Sequence, residues 1–372
     1  MYILIVIASI NPLINFKKLQ NFAKNCDSEL KVVIIDEGNK QVRKQNEKIL
    51  SEFPKAFFGP KERETWFKQR FVSQANKLLE VIPERCHAET SFGFLVSYEE
   101  KPDLVIELDD DVFPSDGASF FQSHKENMSC STAVQVKSTS KWYNTIDNLV
   151  RKNSFSLFPR GHPYTLNARQ GKYKFETKER DCVLNMGLWS VCLDLDALTI
   201  LYHSGLNGKG KHCTATLKEK KVVVGSGTYF AICSMNTAFV PQIIPAFYQL
   251  YMKTLGIDRF DDIWSGLFLK KIADALGDAI SLGQPLVYHD KRPRDTFKDL
   301  SAELEGMAIN EKLWRIVDEL EIEGKNYFDA YESLIFGLQK SIDKFGKGLQ
   351  KKFMRLQTEK MRLWLRVVDQ LA

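Results

Sequence analysis

The sequence predicts an α/β fold: a mostly parallel central sheet flanked by helices, followed by a helical C-terminal extension. Three observations carry this. Apolar, β-rich runs alternate with stretches of helical spacing. Each of those runs ends in polar residues. From about residue 323 the chain becomes helical and basic. Strands buried on both faces read as near-continuous apolar runs, as parallel strands between helices do.

The first run, "YILIVIAS", stops at Asn11-Pro12. It has no basic segment before it and is short, so a buried first strand fits better than a signal peptide. "FKKLQNFAKNC" follows with helical spacing, and "LKVVIIDEG" is a second buried strand ending in Asp36, Glu37 and Gly38. A further helical stretch leads to "DLVIELDDD", a strand that runs into three consecutive aspartates. Residues 115 to 235 are more irregular. "GIDRFDDIWSGLFLKKIADALG" then reads as a capped helix, with Asp261 and Asp262 in its first turn and Gly277 at its end. "PLVYHDKRPR" reads as a strand opening into a basic loop.

Residues 1–322 therefore form one α/β unit and 323–372 a basic amphipathic extension. On a helical wheel Phe353, Met361, Trp364, Val368 and Leu371 gather on one side, opposite Arg355, Arg362 and Arg366. Such a face packs on the body, packs on a second copy, or lies on an anionic membrane surface. No stretch approaches the ~20 apolar residues of a membrane span. The net charge of +5 over 372 residues is too small to argue for nucleic acid. The seven cysteines form no CxxC pair, which speaks against structural zinc and for reduced thiols in the cytoplasm.

The acidic triplet carries the first chemical expectation. Side chains alternate along an extended backbone, so Asp109 and Asp111 converge on one side while Asp110 points elsewhere. Two carboxylates at a strand end suit Mn²⁺ or Mg²⁺, which keeps positions open for substrate phosphates. The alternative is a solvated acidic turn. His289 ends another strand-like run and is a candidate third metal ligand, with Lys291 and Arg292 after it as phosphate-binding cations. Arg160 stands in "FPRGHPYTL", where Gly161 allows close backbone approach to a ligand; it is a candidate phosphate clamp or a surface ion-pair partner. Asp261 and Asp262 are candidate sugar-binding or general-base carboxylates, or simple helix N-terminal residues. Trp189 and Trp264 read as core.

Several segments, in order, resemble the reversibly glycosylated polypeptides, whose plant members are UDP-arabinopyranose mutases. They are "SFGFLVSYEEKPDLVIELDDDVF", "FPRGHPYTL", "GLWSVCLDLDALT", "GTYFAICSMNTAFVPQIIPAFY", "DRFDDIWSGLFLKKIADALG" and "LVYHDKRP". The resemblance implies a GT-A-like nucleotide-sugar-binding fold. It implies that Asp109 and Asp111 hold the cation against the diphosphate of a UDP-sugar, with His289 as a further ligand. It implies a nucleoside contact for Asp36, and it matches Arg160 to an arginine that family members can carry glycosylated. The "HSGLNGKGKHC" loop and the tail after 323 have no counterpart in these segments. Three functions follow as expectations: transfer of a sugar to an acceptor hydroxyl or to the protein itself, pyranose–furanose isomerisation of a UDP-sugar, or an inactive nucleotide-sugar-binding partner subunit.

Overall fold

In the computed structural model the chain is described except for residues 18, 20–27, 116–118, 152–154, 207 and 214–215, and for 211–213 only the backbone is described. The stretch expected to be a helix over residues 16–26 falls largely outside the described residues. The strands are β1 (Tyr2–Ser9), β2 (Glu29–Asp36), β3 (Lys55–Phe58), β4 (Leu104–Leu108), β5 (Val112–Pro114), β6 (Ser131–Ser138), β7 (Tyr173–Arg180), β8 (Leu184–Cys192), β9 (Lys211–Cys213), β10 (Lys221–Val224), β11 (Asn236–Phe239) and β12 (Ile280–His289). The helices of eight residues or more are α1 (Lys40–Ile49), α2 (Pro60–Phe71), α3 (Ser91–Glu100), α4 (Phe120–Met128), α5 (Ala197–Ser204), α6 (Asp261–Leu276), α7 (Thr296–Glu319), α8 (Tyr327–Lys340) and α9 (Leu349–Leu371).

One sheet runs in the order β3-β2-β1-β4-β11-β8-β12-β10-β6-β7, with β5 against β12 and β9 against β8. The first four strands are parallel. From β11 onward the sheet is mixed, because β11 lies antiparallel between β4 and β8, and β12 is parallel to β8 but antiparallel to β10 and β5. Parallel pairing is unbroken only among the first four strands; beyond β11 it recurs between β8 and β12 and between β6 and β10, interleaved with antiparallel neighbours. Ile3–Ile7 and Val32–Ile35 are fully buried, as continuous apolar runs require.

Register positions the functional end. Ser9 pairs with Asp36 at the last position shared by β1 and β2, and β4 stops at Leu108 beside β1. The chain turns through the aspartates and enters β5, whose Val112 faces His289 at the end of β12. The acidic triplet and the histidine, 178 positions apart in sequence, therefore share one edge of the sheet.

The extension after 322 joins the same core. Phe353, Met361, Trp364 and Val368 are buried among residues of the α/β unit, and Leu371 is partly buried against it. Trp364 stacks on Tyr248 at 5.0 Å, and its indole N–H donates to the carbonyls of Ile244 and Pro245 at 3.3 and 3.2 Å. Of the readings offered for that apolar stripe, packing on the body is the one these contacts show: amphipathic period alone does not distinguish a lipid surface from the protein's own body. Arg355, Arg362 and Arg366 remain exposed. Among the described residues no helix is long and apolar enough to cross a membrane. Trp189 and Trp264 are core residues, and Gly277 caps α6 in the left-handed conformation (φ 83°).

Two buried histidines make stability pH-dependent. Burial pushes the His124 and His162 imidazoles down to about 3, hydrogen bonds from His124 to Asn236 and from His162 to the Ala168 carbonyl notwithstanding. The folded values lie below the ordinary 6.5, so between pH 6.5 and 3 the unfolded chain binds more protons. Stability is therefore lost as pH falls through that window. Acid titration of the unfolding free energy should show a loss on the order of a few kcal/mol. His124→Gln should flatten the slope, and an unchanged slope would remove this assignment.

Candidate functional site

A cleft of about 570 Å³ opens at the carboxyl ends of β1, β4 and β12, under the first turn of α6. Ligands of α/β sheets bind at such strand ends. Of the residues singled out in the sequence, Asp109, Asp110, Asp111, Arg160, Asp261, Asp262, His289, Lys291 and Arg292 all line it. Asp36 does not. It is buried at the end of β2, accepts from the Gly38 N–H at 3.0 Å and faces Arg43 at 3.8 Å.

The triplet departs from the alternation argument. β4 ends at Leu108, and Asp110 and Asp111 occupy a turn, so the three carboxylates fan apart. Asp109 faces His87, with Oδ1 3.1 Å from Nε2. Asp110 accepts from Ser9 Oγ at 2.6 Å and Asn11 Nδ2 at 3.1 Å, and pairs with Arg292 at 3.2 Å. Asp111 faces His289 Nε2 at 3.7 Å. Burial alone would raise the Asp111 carboxyl; the His289, Arg292 and Arg294 charges outweigh it and hold it below the usual range.

Among the described residues no group of three His, Cys, Asp or Glu is gathered as a metal shell. The donor chemistry nevertheless fits a hard cation in part. Asp111 is held ionised beside His289, and His289 Nδ1 is buried without a hydrogen-bond partner. Asp109 is the donor turned aside.

Arg160 differs most from expectation. It is 7% exposed. Its Nε and Nη2 donate to Asp194 at 3.3 and 3.0 Å, and Nη1 and Nη2 donate to the two Asp262 oxygens, each at 3.2 Å. Nη1 also donates to the Arg259 carbonyl. All five N–H groups of the guanidinium therefore have protein acceptors. It is a strut between two carboxylates rather than an open phosphate clamp. Gly161 serves packing, not a ligand: at φ +87°, a Cβ there would meet Ile263 Cγ2 at 2.3 Å.

Sequence reasoning missed Asp194 and His87. Asp194 lies in "GLWSVCLDLDALT" just past β8. Burial would raise it, but Arg160 and Lys291 hold it down to about 2. His87 sits in a short helical turn before α3, with Nδ1 2.8 Å from Asp261 Oδ2 and Nε2 on Asp109. Burial alone would lower its affinity for protons, but Asp261 and Asp109 raise it well above the ordinary value. Nothing in "ERCHAET" signals this position. Glu89 also lines the cleft, ion-paired to Arg63, its carboxyl pushed up to about 9 by burial and by Glu37.

Cations share the cleft with the carboxylates. Arg259 is neutralised by Glu303 at 2.5 Å, and Arg294 leans on Asp299 at 3.5 Å. Lys291 is 6% exposed and has no hydrogen bond or ion pair among the described residues. Burial lowers its affinity for protons; Asp194 opposes this, and Arg259 and Arg294 add to it. Of the described cysteines, Cys86, Cys130, Cys182, Cys192 and Cys233 are not disulfide-bonded.

A family model described as "Reversibly glycosylated polypeptide" matches residues 3–372. That match runs through both the "HSGLNGKGKHC" loop and the tail, which sequence inspection leaves without a counterpart. UDP-arabinopyranose mutase 1 of Arabidopsis thaliana is 31% identical over 232 residues, covering 60% of this chain and 56% of that protein. UDP-arabinopyranose mutase 1 of Oryza sativa subsp. japonica is 27% identical over 291 residues, covering 75% and 70%. The match to the Arabidopsis protein thus spans little more than half of its length. Among solved structures, S. aureus TarS 1–349 aligns over 99% of this chain and 90% of its own, at 10% identity and a TM-score of 0.33. Mouse xyloside xylosyltransferase 1 aligns over 37% and 52%, at 11% identity and a TM-score of 0.22.

Proposed function

The chain belongs to the reversibly glycosylated polypeptide family, and from that premise we propose that it breaks and re-forms the glycosyl–phosphate bond of a nucleotide sugar, a UDP-sugar in the first instance. The observation that carries this reading is the mixed lining of the cleft: Asp109, Asp261 and Asp262 share it with Arg294 and with Lys291, which has no hydrogen bond or ion pair among the described residues. The amine opens to the cleft with no protein counter-charge in contact, and a diphosphate would supply one.

In this reading Lys291, Arg292 and Arg294 hold the diphosphate oxygens; Asp36, outside the cleft and engaged by Gly38 and Arg43, takes no part. Asp261 and Asp262 stand on the sugar side, where a carboxylate stabilises the positive charge that develops as the glycosyl bond lengthens. Arg160, tied to Asp194 and Asp262, keeps that side in place. Mn²⁺ or Mg²⁺, held by Asp111, His289 and a released Asp109, supplies Lewis-acid neutralisation of the leaving group when bound.

Ring isomerisation takes first place because the mutases named above share this family. Transfer to an acceptor hydroxyl uses the same bond cleavage and is the second reading, with a catalytically inert binding subunit as the third. Incubation with UDP-sugars and Mn²⁺, followed by chromatographic resolution, separates them. A ring-isomerised UDP-sugar without acceptor is the expected product. UDP released only with acceptor would replace isomerisation by transfer; UDP binding without turnover would leave the inert subunit. Lys291→Met should weaken UDP binding about 10- to 100-fold, as loss of a hydrogen bond to a charged group implies. Titration calorimetry reads this, and unchanged affinity would free Lys291 of its role.

A further inference from the structure

One histidine closes the gap between the acidic triplet and the acidic end of α6. We propose that His87 is a positioning residue that competes with the divalent cation for Asp109, so that metal binding requires Asp109 to leave the His87 ring. The inference rests on the cation reading given above and deepens it.

The geometry is specific. Both ring nitrogens are engaged, Nδ1 with Asp261 at 2.8 Å and Nε2 with Asp109 at 3.1 Å. A third carboxyl, Glu107 Oε1, lies 3.9 Å from Nε2 and is itself bonded by the Gln249 amide at 2.5 Å. His87 therefore has no nitrogen left to offer a metal. Asp109, the carboxylate that would complete the set begun by Asp111 and His289, is the one His87 holds aside. The opposing pair is otherwise ready: His289 lies across the β5–β12 ribbon from the triplet and 3.7 Å from Asp111.

Two consequences follow. The ring taxes metal affinity, because one hydrogen bond to Asp109 must break first. It also couples the metal to the sugar side, because a ring freed of Asp109 keeps Asp261 as its remaining aspartate partner. Coupling of this kind is reciprocal.

The test is Mn²⁺ binding by the full chain without any sugar substrate, read as loss of the free-ion electron paramagnetic resonance signal. His87→Ala frees Asp109 and should lower the Mn²⁺ dissociation constant about tenfold. His87→Gln, which keeps part of the ring's volume, should move it in the same direction and serves if the alanine variant does not fold. Weaker binding in the variants would overturn the proposal by making His87 a ligand, and equal binding would overturn it by making His87 a bystander. Either failure is distinguishable from failure of the cation reading. Wild-type Mn²⁺ binding lost in Asp111→Asn but unchanged in His87→Ala sinks only the His87 role. Absence of Mn²⁺ binding in wild type and variants alike sinks the cation reading and His87's role with it.

Discussion

Arg160→Met should lower the unfolding free energy by about 3–5 kcal/mol, the loss typical of breaking a buried ion pair from one side. The reason is arithmetic of charge. Asp194 and Asp262 are 4% and 3% exposed, and the guanidinium between them supplies the compensating donors for both. Its removal leaves two carboxylates facing each other in a low-dielectric wall, with Asp261 adjacent. Burial then favours protonation of one of them, so the variant's stability should fall further as pH rises from acid to neutral. Arg160→Lys keeps the charge but not the planar fork, and should recover only part of the loss. Denaturant unfolding decides the matter. A loss below about 1 kcal/mol, the range of exposed pairs, would show that the strut carries no weight. Turnover should fall with the strut, because Asp262 loses the partner that fixes its orientation.

Asp111→Asn should abolish Mn²⁺-dependent UDP binding, a loss of at least about 100-fold, while the fold stays intact. Asp111 is about one-fifth exposed, so neutralising it leaves no buried charge unpaired. Its low proton affinity means that the carboxylate is ionised at neutral pH and ready for a cation. Substitution removes that charge while Arg292 and Arg294 remain. Calorimetry with UDP, with and without Mn²⁺, reads the effect. Metal-dependent affinity surviving in the variant would remove Asp111 from the cation's shell. A metal-independent component that survives is expected from Lys291 and its neighbours.

The strands β1, β2 and β4 are legible because their apolar runs are long and end abruptly. Where each run stops also fixes which polar residues reach the cleft, which is why the triplet and His289 can be placed together from sequence. The fan of the three aspartates is not legible, because it depends on the strand ending at Leu108, before Asp109, whereas alternation assumes an extended backbone through Asp111. Arg160 shows the same limit from another side. Its glycine-flanked loop is visible, but Asp194 and Asp262 lie 34 and 102 positions away, and only folding brings them to it. His87 carries no pattern in its neighbourhood. For the extension, one amphipathic stripe fits a bilayer, a partner or the protein's own flank; the stacking of Trp364 on Tyr248 decides. The mixed half of the sheet escapes prediction because strands distant in sequence, such as β8 with β12 and β6 with β10, interleave there.

The docking of α9 bears on how the chain reaches its native state. Trp364 completes a pocket built by residues 119 and 120 positions earlier. During vectorial synthesis at roughly 5–20 residues per second, that pocket stays open for several seconds after its own walls have emerged. Until α9 arrives, the flank beside Tyr248 is exposed apolar surface, the kind that chaperones recognise. A nascent chain stalled before residue 349 should therefore be protease-sensitive around residues 241–248, even with the carboxylate-lined cleft already formed.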